Sequence, residues 1–220
     1  TVRVPHDGGW GTTTTLADGS WELVVQGGER VLVQIEKEGY LLNQRWASPR
    51  WNRYVVIEPV VLIPASAKTT AVSFGAAGWQ TARGELSKDS SGTRTAMVLF
   101  PPGVTATATA TGGAPTPLQK GTFRVTEYTV GDRGPQAMPG NLPPLSGYTY
   151  ASEFTIDEAK GGAVAFDKPV IAYLDNFLGF PVGTTIPAGA YEADRGAWSA
   201  GESGKVVKVV AAGAGLGLDA

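Results

Sequence analysis

The sequence predicts an all-β chain of two or three β-sandwich domains in series, and three observations carry that reading. Short β-prone runs recur between turns, and many alternate apolar and polar residues with the period of two that a half-buried strand requires. Turn residues are abundant, with 30 Gly and 15 Pro among 220 residues. The single helix candidate, residues 156–160, is barely one turn long and stops at Gly161-Gly162.

The elements follow in order. Val2 and Val4 open the first run, Asp7-Gly8-Gly9 turns it, and residues 12–15 are four threonines. Asp18-Gly19 suits a two-residue hairpin connection. Trp21, Leu23 and Val25 then alternate with Ser20, Glu22 and Val24, and Val31, Val33 and Ile35 alternate with Leu32, Gln34 and Glu36. Residues 54–63 are mostly apolar, as in a buried strand, with Glu58-Pro59 breaking the run in two. Residues 1–64 form the first expected domain, and residues 64–70 a short linker.

Residues 93–100 read as a strand halted by Pro101-Pro102-Gly103. The Thr/Ala run over 104–111 reads as an edge or exposed strand. Over 122–130, Phe123 and Val125 share a face that continues to Glu127, a charge that belongs in a pair or at a sheet margin. Residues 131–146 are rich in Pro and Gly and form an ordered loop anchored by Met138 and Leu142. Strand character resumes at 148–156, 163–166 and 169–174, and residues 191–198 and 206–210 read as closing strands. The expected second and third domains are 65–145 and 146–211, separate or one intertwined unit. The Ala/Gly-rich end, 212–220, reads as a flexible tail.

Composition excludes several functions. A net charge of −2 gives no basic footprint for nucleic acid. No apolar stretch is long enough to span a bilayer as a helix. With no Cys and one His, a zinc site lacks ligands. His6 is also the only imidazole available as a base, and it sits in a turn beside Asp7. Asp89-Ser90-Ser91-Gly92 reads as a hairpin turn rather than a calcium loop, because the alternating acids and terminal Glu are missing. The chain is therefore expected to be non-catalytic, without metal, cofactor or catalytic residues.

Three sets of residues could carry a function. Trp46, Trp51 and Tyr54, close to Arg45, Arg50 and Arg53, form a candidate interaction or carbohydrate-binding face. Phe177, Leu178 and Phe180 lie in an apolar loop over 176–183 that packs on a sheet or a partner domain. The acids Glu153, Asp157 and Glu158, or Glu192, Asp194 and Glu202, could supply a hydrolase pair.

Two resemblances cover nearly the whole chain. Residues 11–23, from the threonine run through Asp18-Gly19 to Trp21-Glu22-Leu23, with Lys37-Glu38-Gly39-Tyr40, resemble a prealbumin-like (carboxypeptidase-regulatory-like) module. Residues 93–107, 126–130, Ala137-Met138-Pro139 and 143–150 are similar to the segment that precedes the repeats in bacterial Rhs/YD-repeat proteins. So are Phe166-Asp167-Lys168-Pro169-Val170, Asn176-Phe177-Leu178-Gly179-Phe180-Pro181-Val182-Gly183, Pro187, Gly189, Tyr191, Arg195-Gly196 and Trp198. This resemblance implies a scaffold or plug-like role next to a β-shell, as in teneurins, within a secreted or cell-surface protein. It implies the downstream domains of the parent protein as partners. The alternatives are an adhesive or glycan-binding module and a carboxylate hydrolase. The second region also resembles the spectrin-binding type of β-sandwich in ankyrins. Some relatives of that fold self-cleave at a Phe-Ser bond beside a His, but Ser73-Phe74 runs in the opposite order and His6 lies in another expected domain.

Overall fold

The computed structural model describes residues 1–5, 8–110, 112–128, 131–144, 147–212 and 215–219. His6 and Asp7, and with them the expected first turn, lie outside the described residues. The chain is all-β, and every strand pairing described is antiparallel. It divides into two compact units, both discontinuous in sequence. One comprises Thr1–Pro64, Arg133–Tyr148 and Gly179–Ala220; the other comprises Ala65–Asp132 and Thr149–Leu178.

In the first unit, a four-stranded sheet runs in the order Thr12–Thr13, Val2–Arg3, Val31–Ile35, Asn43–Ala47. Val2, Val31, Val33, Ile35 and Ala47 form the core on one side. Trp21, Leu23 and Val25 pack against that core, so the expected alternation places them correctly. They nevertheless form no strand. Residues 54–63 also form no strand, contrary to expectation. Ile57, Val60 and Leu62 turn inward to the core while Tyr54 and Val56 are exposed. The ties of this stretch are single contacts, such as the Leu41 N–H to the Ile63 carbonyl at 2.8 Å.

Val31–Ile35 is buried at all five positions rather than on alternate ones. The extra cover comes from distant segments of the same unit. A short helix, Gly134–Ala137, begins with Pro135 in its first turn, where a missing N–H costs nothing. Met138 follows it, fully buried as the sequence predicts. The Pro139 carbonyl accepts the Gln44 N–H at 2.7 Å along the sheet edge. Residues 191–198, expected as one strand, are instead part of a hairpin of Gly189–Glu192 with Ala197–Ala200. Gly196, at φ +59°, supplies the left-handed residue at its turn. Within the expected tail, the described residues Gly215–Asp219 form a strand paired with Lys208–Ala212. Backbone hydrogen bonds, available to any non-proline residue, build this hairpin despite the Ala/Gly composition.

The second unit holds three three-stranded sheets. Their orders are Thr116–Leu118, Ala106–Thr109, Ala163–Phe166; Ser152–Ile156, Lys120–Glu127, Thr70–Ser73; and Ile171–Leu174, Ala96–Phe100, Gln80–Arg83. Each takes one strand from residues 149–178. The strands of residues 149–178 therefore pair with those of residues 70–127 in all three sheets. Ala106–Thr109 is a central strand, not an edge, with Ala106 and Ala108 buried. Its small residues allow close packing on both sides. Phe100 is 0% exposed and meets Phe74, Phe123 and Phe166 at centroid distances of 6.3, 5.3 and 6.0 Å. The helix candidate at 156–160 is a 3₁₀ turn, Asp157–Ala159, ended by Lys160 in the left-handed region.

Candidate functional site

The aromatic–arginine segment is divided by the strand it follows. Asn43–Ala47 pairs with Val31–Ile35 in a register that sets Trp46 opposite Leu32. The Trp46 indole N–H donates to the Gly196 carbonyl at 2.7 Å, and the Arg30 guanidinium lies 4.4 Å from the ring centroid. Arg45 is buried. Its guanidinium donates to Asn43 Oδ1 at 2.6 Å and to the carbonyls of Gln44, Met138 and Gln136 at 2.8–3.0 Å. Burial pulls its pKa below the ordinary arginine value. Arg45 and the Trp46 indole N–H thus hold later segments in place, and the Trp46 ring is left half-buried.

The next residues do the opposite. The chain turns where the Arg53 N–H reaches the Arg50 carbonyl at 3.2 Å, and Asn52 adopts φ +53°. Asn is among the few non-glycine residues that tolerate this conformation. The Gly28 N–H donates to the Pro49 carbonyl at 2.9 Å. A Cβ at Gly27 would lie 2.6 Å from the Trp51 amide nitrogen, so only glycine permits this approach. Braced in this way, the turn leaves Trp51 65% and Tyr54 94% exposed, with Arg50, Asn52 and Arg53 exposed beside them.

The apolar loop also separates. Phe177 is half-buried in the second unit, its ring 4.6 Å from the Arg94 guanidinium carbon and 6.4 Å from the Tyr150 ring. Leu178 is 42% exposed. Phe180 is half-buried and belongs to the first unit. Phe177 rests on a group that sequence reasoning missed. Arg94 is 1% exposed, donates to both Asp89 carboxylate oxygens at 2.8 Å, and reaches Glu127 Oε1 at 2.6 Å. Asp89 also accepts the Gly131 N–H at 3.1 Å. The Arg94 bonds hold its carboxyl far below the usual carboxylate range. Desolvation pushes the neighbouring Tyr150 hydroxyl up to about 12. The placement of Glu127 in a pair was the one sequence signal for this cluster.

Among the candidate acids, Glu153, Asp157, Glu158 and Glu192 have structural partners. Arg124 donates to both oxygens of Asp157 at 2.7 Å, and Glu158 accepts from the Thr122 N–H and hydroxyl at 2.8 and 3.0 Å. Arg195 reaches Glu192 at 2.8 Å. Glu153 accepts the Tyr128 hydroxyl at 3.0 Å, and burial raises its carboxyl. A cleft of about 260 Å³ opens between the strands of the second unit, lined by Val98, Phe123, Phe154, Ile156, Val164 and Phe166 among others. Glu153 is the one acid in its lining, whereas glycoside hydrolysis uses two. Among the described residues no group of three or more His, Cys, Asp or Glu could hold a metal ion. No helix among them is long and apolar enough to cross a membrane.

Residues 1–62 match the family model of the teneurin TTR-like domain. The match ends two residues before Pro64, where the first segment of the first unit also ends. It describes a transthyretin-like, or prealbumin-like, β fold and agrees with the four-stranded sheet found there. No curated protein matches the chain. No solved structure matches it either.

Proposed function

We propose that the chain is a non-catalytic structural and interaction segment of a large secreted or cell-surface protein of the Rhs/YD-repeat, teneurin-like kind, and that its partners are the downstream domains of that protein. The observation that carries this reading is the TTR-like match over residues 1–62, a module of teneurins used for structure. Its sheet is embedded in later parts of the chain by directional hydrogen bonds that Asn43, Arg45 and Trp46 donate and that Gln44 accepts from the Tyr191 hydroxyl. Such embedding suits a framework better than a free catalytic domain.

The test is association with the rest of the parent protein. The 220-residue chain, expressed together with the downstream portion of its gene as a separate polypeptide, is expected to co-elute with it in size-exclusion chromatography. It is also expected to raise that portion's melting temperature. Independent elution with unchanged melting of the downstream portion would overturn the scaffold reading.

A further inference from the structure

We propose that the turn formed by Arg50, Trp51, Asn52, Arg53 and Tyr54 binds an acidic polysaccharide, one bearing uronate or sulfate groups. The proposal does not depend on the scaffold reading, because it concerns one outward-facing turn of the TTR-like segment. It also narrows the glycan face the sequence suggested: Trp46 and Arg45 leave the site, Arg50 and Arg53 stay beside Trp51 and Tyr54, and Asn52 joins them.

Four features of the turn carry the proposal. First, the turn is built rather than loose. The Gly28–Pro49 and Arg53–Arg50 hydrogen bonds, the left-handed Asn52 and the close approach at Gly27 fix its backbone. The pyrrole end of the Trp51 indole rests against Gly28, where an added Cβ would lie 3.2 Å from its nitrogen. A rigid turn loses little freedom on binding.

Second, five consecutive side chains point to solvent, and they alternate cation, ring, amide, cation, ring. Large flat rings left exposed cost solvation without contributing to the core. An aromatic ring stacks on the C–H face of a pyranose, and Asn52 offers both a donor and an acceptor to hydroxyl groups.

Third, among the described residues neither Arg50 nor Arg53 takes part in an ion pair, as is also true of Arg30, Arg45, Arg83 and Arg133, but these two alone stand exposed beside exposed rings in one turn. A guanidinium fork matches carboxylate and sulfate oxygens in a bidentate manner. Two such forks three residues apart favour a polymer with repeated anionic groups over a neutral sugar.

Fourth, the net charge of −2 gives no long-range positive field to draw polyanions in general, so recognition rests on the rings and guanidinium groups of the turn itself. A site that needs both rings and charges is selective where a charge patch is not.

The experiment titrates the 220-residue chain with polygalacturonate, dextran sulfate, neutral dextran, a single-stranded oligonucleotide and anionic phospholipid vesicles, by calorimetry at low and at high salt. Saturable, salt-sensitive binding to an acidic polysaccharide and none to neutral dextran is expected. Trp51→Ala, and separately the Arg50→Ala/Arg53→Ala pair, should each weaken binding about tenfold. Trp51→Phe should retain most of it. Thermal melting of each variant tests that the fold is intact, and Tyr54→Ser provides a second ring variant should Trp51→Ala disturb the Gly28 contact. The proposal is overturned if neither acidic polysaccharide saturates, or if binding ignores both the ring and arginine variants. It is equally overturned if the oligonucleotide or the vesicles bind as tightly and without regard to Trp51, since charge alone would then explain the result.

Discussion

The two compact units secure their strands by different chemistry. In the second unit Phe100 packs edge-on against its aromatic neighbours, with Val98, Val125 and Ile156 filling the same core. Dispersion and the removal of apolar area from water dominate there, and neither has strong directional preference. The TTR-like sheet has such a core on one side only. Asn43 and Arg45, paired with Ile35 and Val33, flank that core, Gln34 and Gln44 lie on the opposite face, and all four are buried and hydrogen-bonded. Buried amides and guanidinium groups add little net stability, but each is costly to leave without a partner. The first unit therefore gains register and specificity where the second, apart from its buried Arg94–Asp89–Glu127 cluster, gains bulk stability.

Two substitutions would break this comparison if it is wrong. Phe100→Ala removes a fully buried ring that contacts three others, and should destabilise the second unit by about 3–5 kcal/mol in chemical denaturation. Gln44→Leu keeps apolar volume but removes the acceptor of the Tyr191 hydroxyl, 2.8 Å away, and the donor to Gln34 Oε1, 3.0 Å away. A cost of about 1–3 kcal/mol is expected. Adding Tyr191→Phe should recover part of that loss, because the stranded hydroxyl disappears. No recovery in the double variant would mean that packing, not polar satisfaction, holds the hairpin of Gly189–Glu192 and Ala197–Ala200.

Carboxyl groups provide a smaller and pH-resolved effect. Burial raises the Glu153 pKa above its ordinary value of 4.5, with the Tyr128 hydroxyl opposing the shift. A raised carboxyl binds its proton more tightly in the folded state. Its contribution to stability is thus fully present below about pH 4.5 and declines as pH rises through the folded value. Glu153→Gln keeps an acceptor for Tyr128 and removes the desolvated charge. The variant should melt above the wild type at neutral pH, and the two should converge in acid. The depressed Asp89 carboxyl works in the other direction: its stabilising effect holds above its ordinary value of 3.8 and is lost only in stronger acid. Parallel melting curves for Glu153→Gln and the wild type from acid to neutral pH would remove burial as the cause.

The fold class was legible because period-two patterning is a local signal. Trp21, Leu23 and Val25 face the core although no ladder holds them, and Phe123 and Val125 share the buried face expected of them. What the sequence hid was non-local. Leu32 and Gln34 read as a solvent face, but residues more than 100 positions later in the chain cover that face. Thr95 looked like mid-strand; its N–H instead donates to Asp175 at 3.0 Å, 80 residues away, and the strand breaks there. The candidate site was half legible for the same reason. The cluster of rings and arginines was visible, but only the pairing of Asn43–Ala47 decides that Trp46 turns to Gly196 while Trp51 and Tyr54 face water.

The smallest expected effect sharpens the contrast between a residue that supports the fold and one that is displayed by it. Tyr54 is 94% exposed, on a stretch without strand pairing. A surface side chain away from caps, buried networks and strained backbone rarely changes stability by more than about 0.5 kcal/mol. Tyr54→Ser should therefore leave the denaturation midpoint and slope unaltered within that margin. Trp46→Phe should not, because it removes the indole N–H from the Gly196 carbonyl. If Tyr54→Ser proved as costly as Trp46→Phe, the ring would be contributing to the fold, and its exposure would no longer call for a ligand.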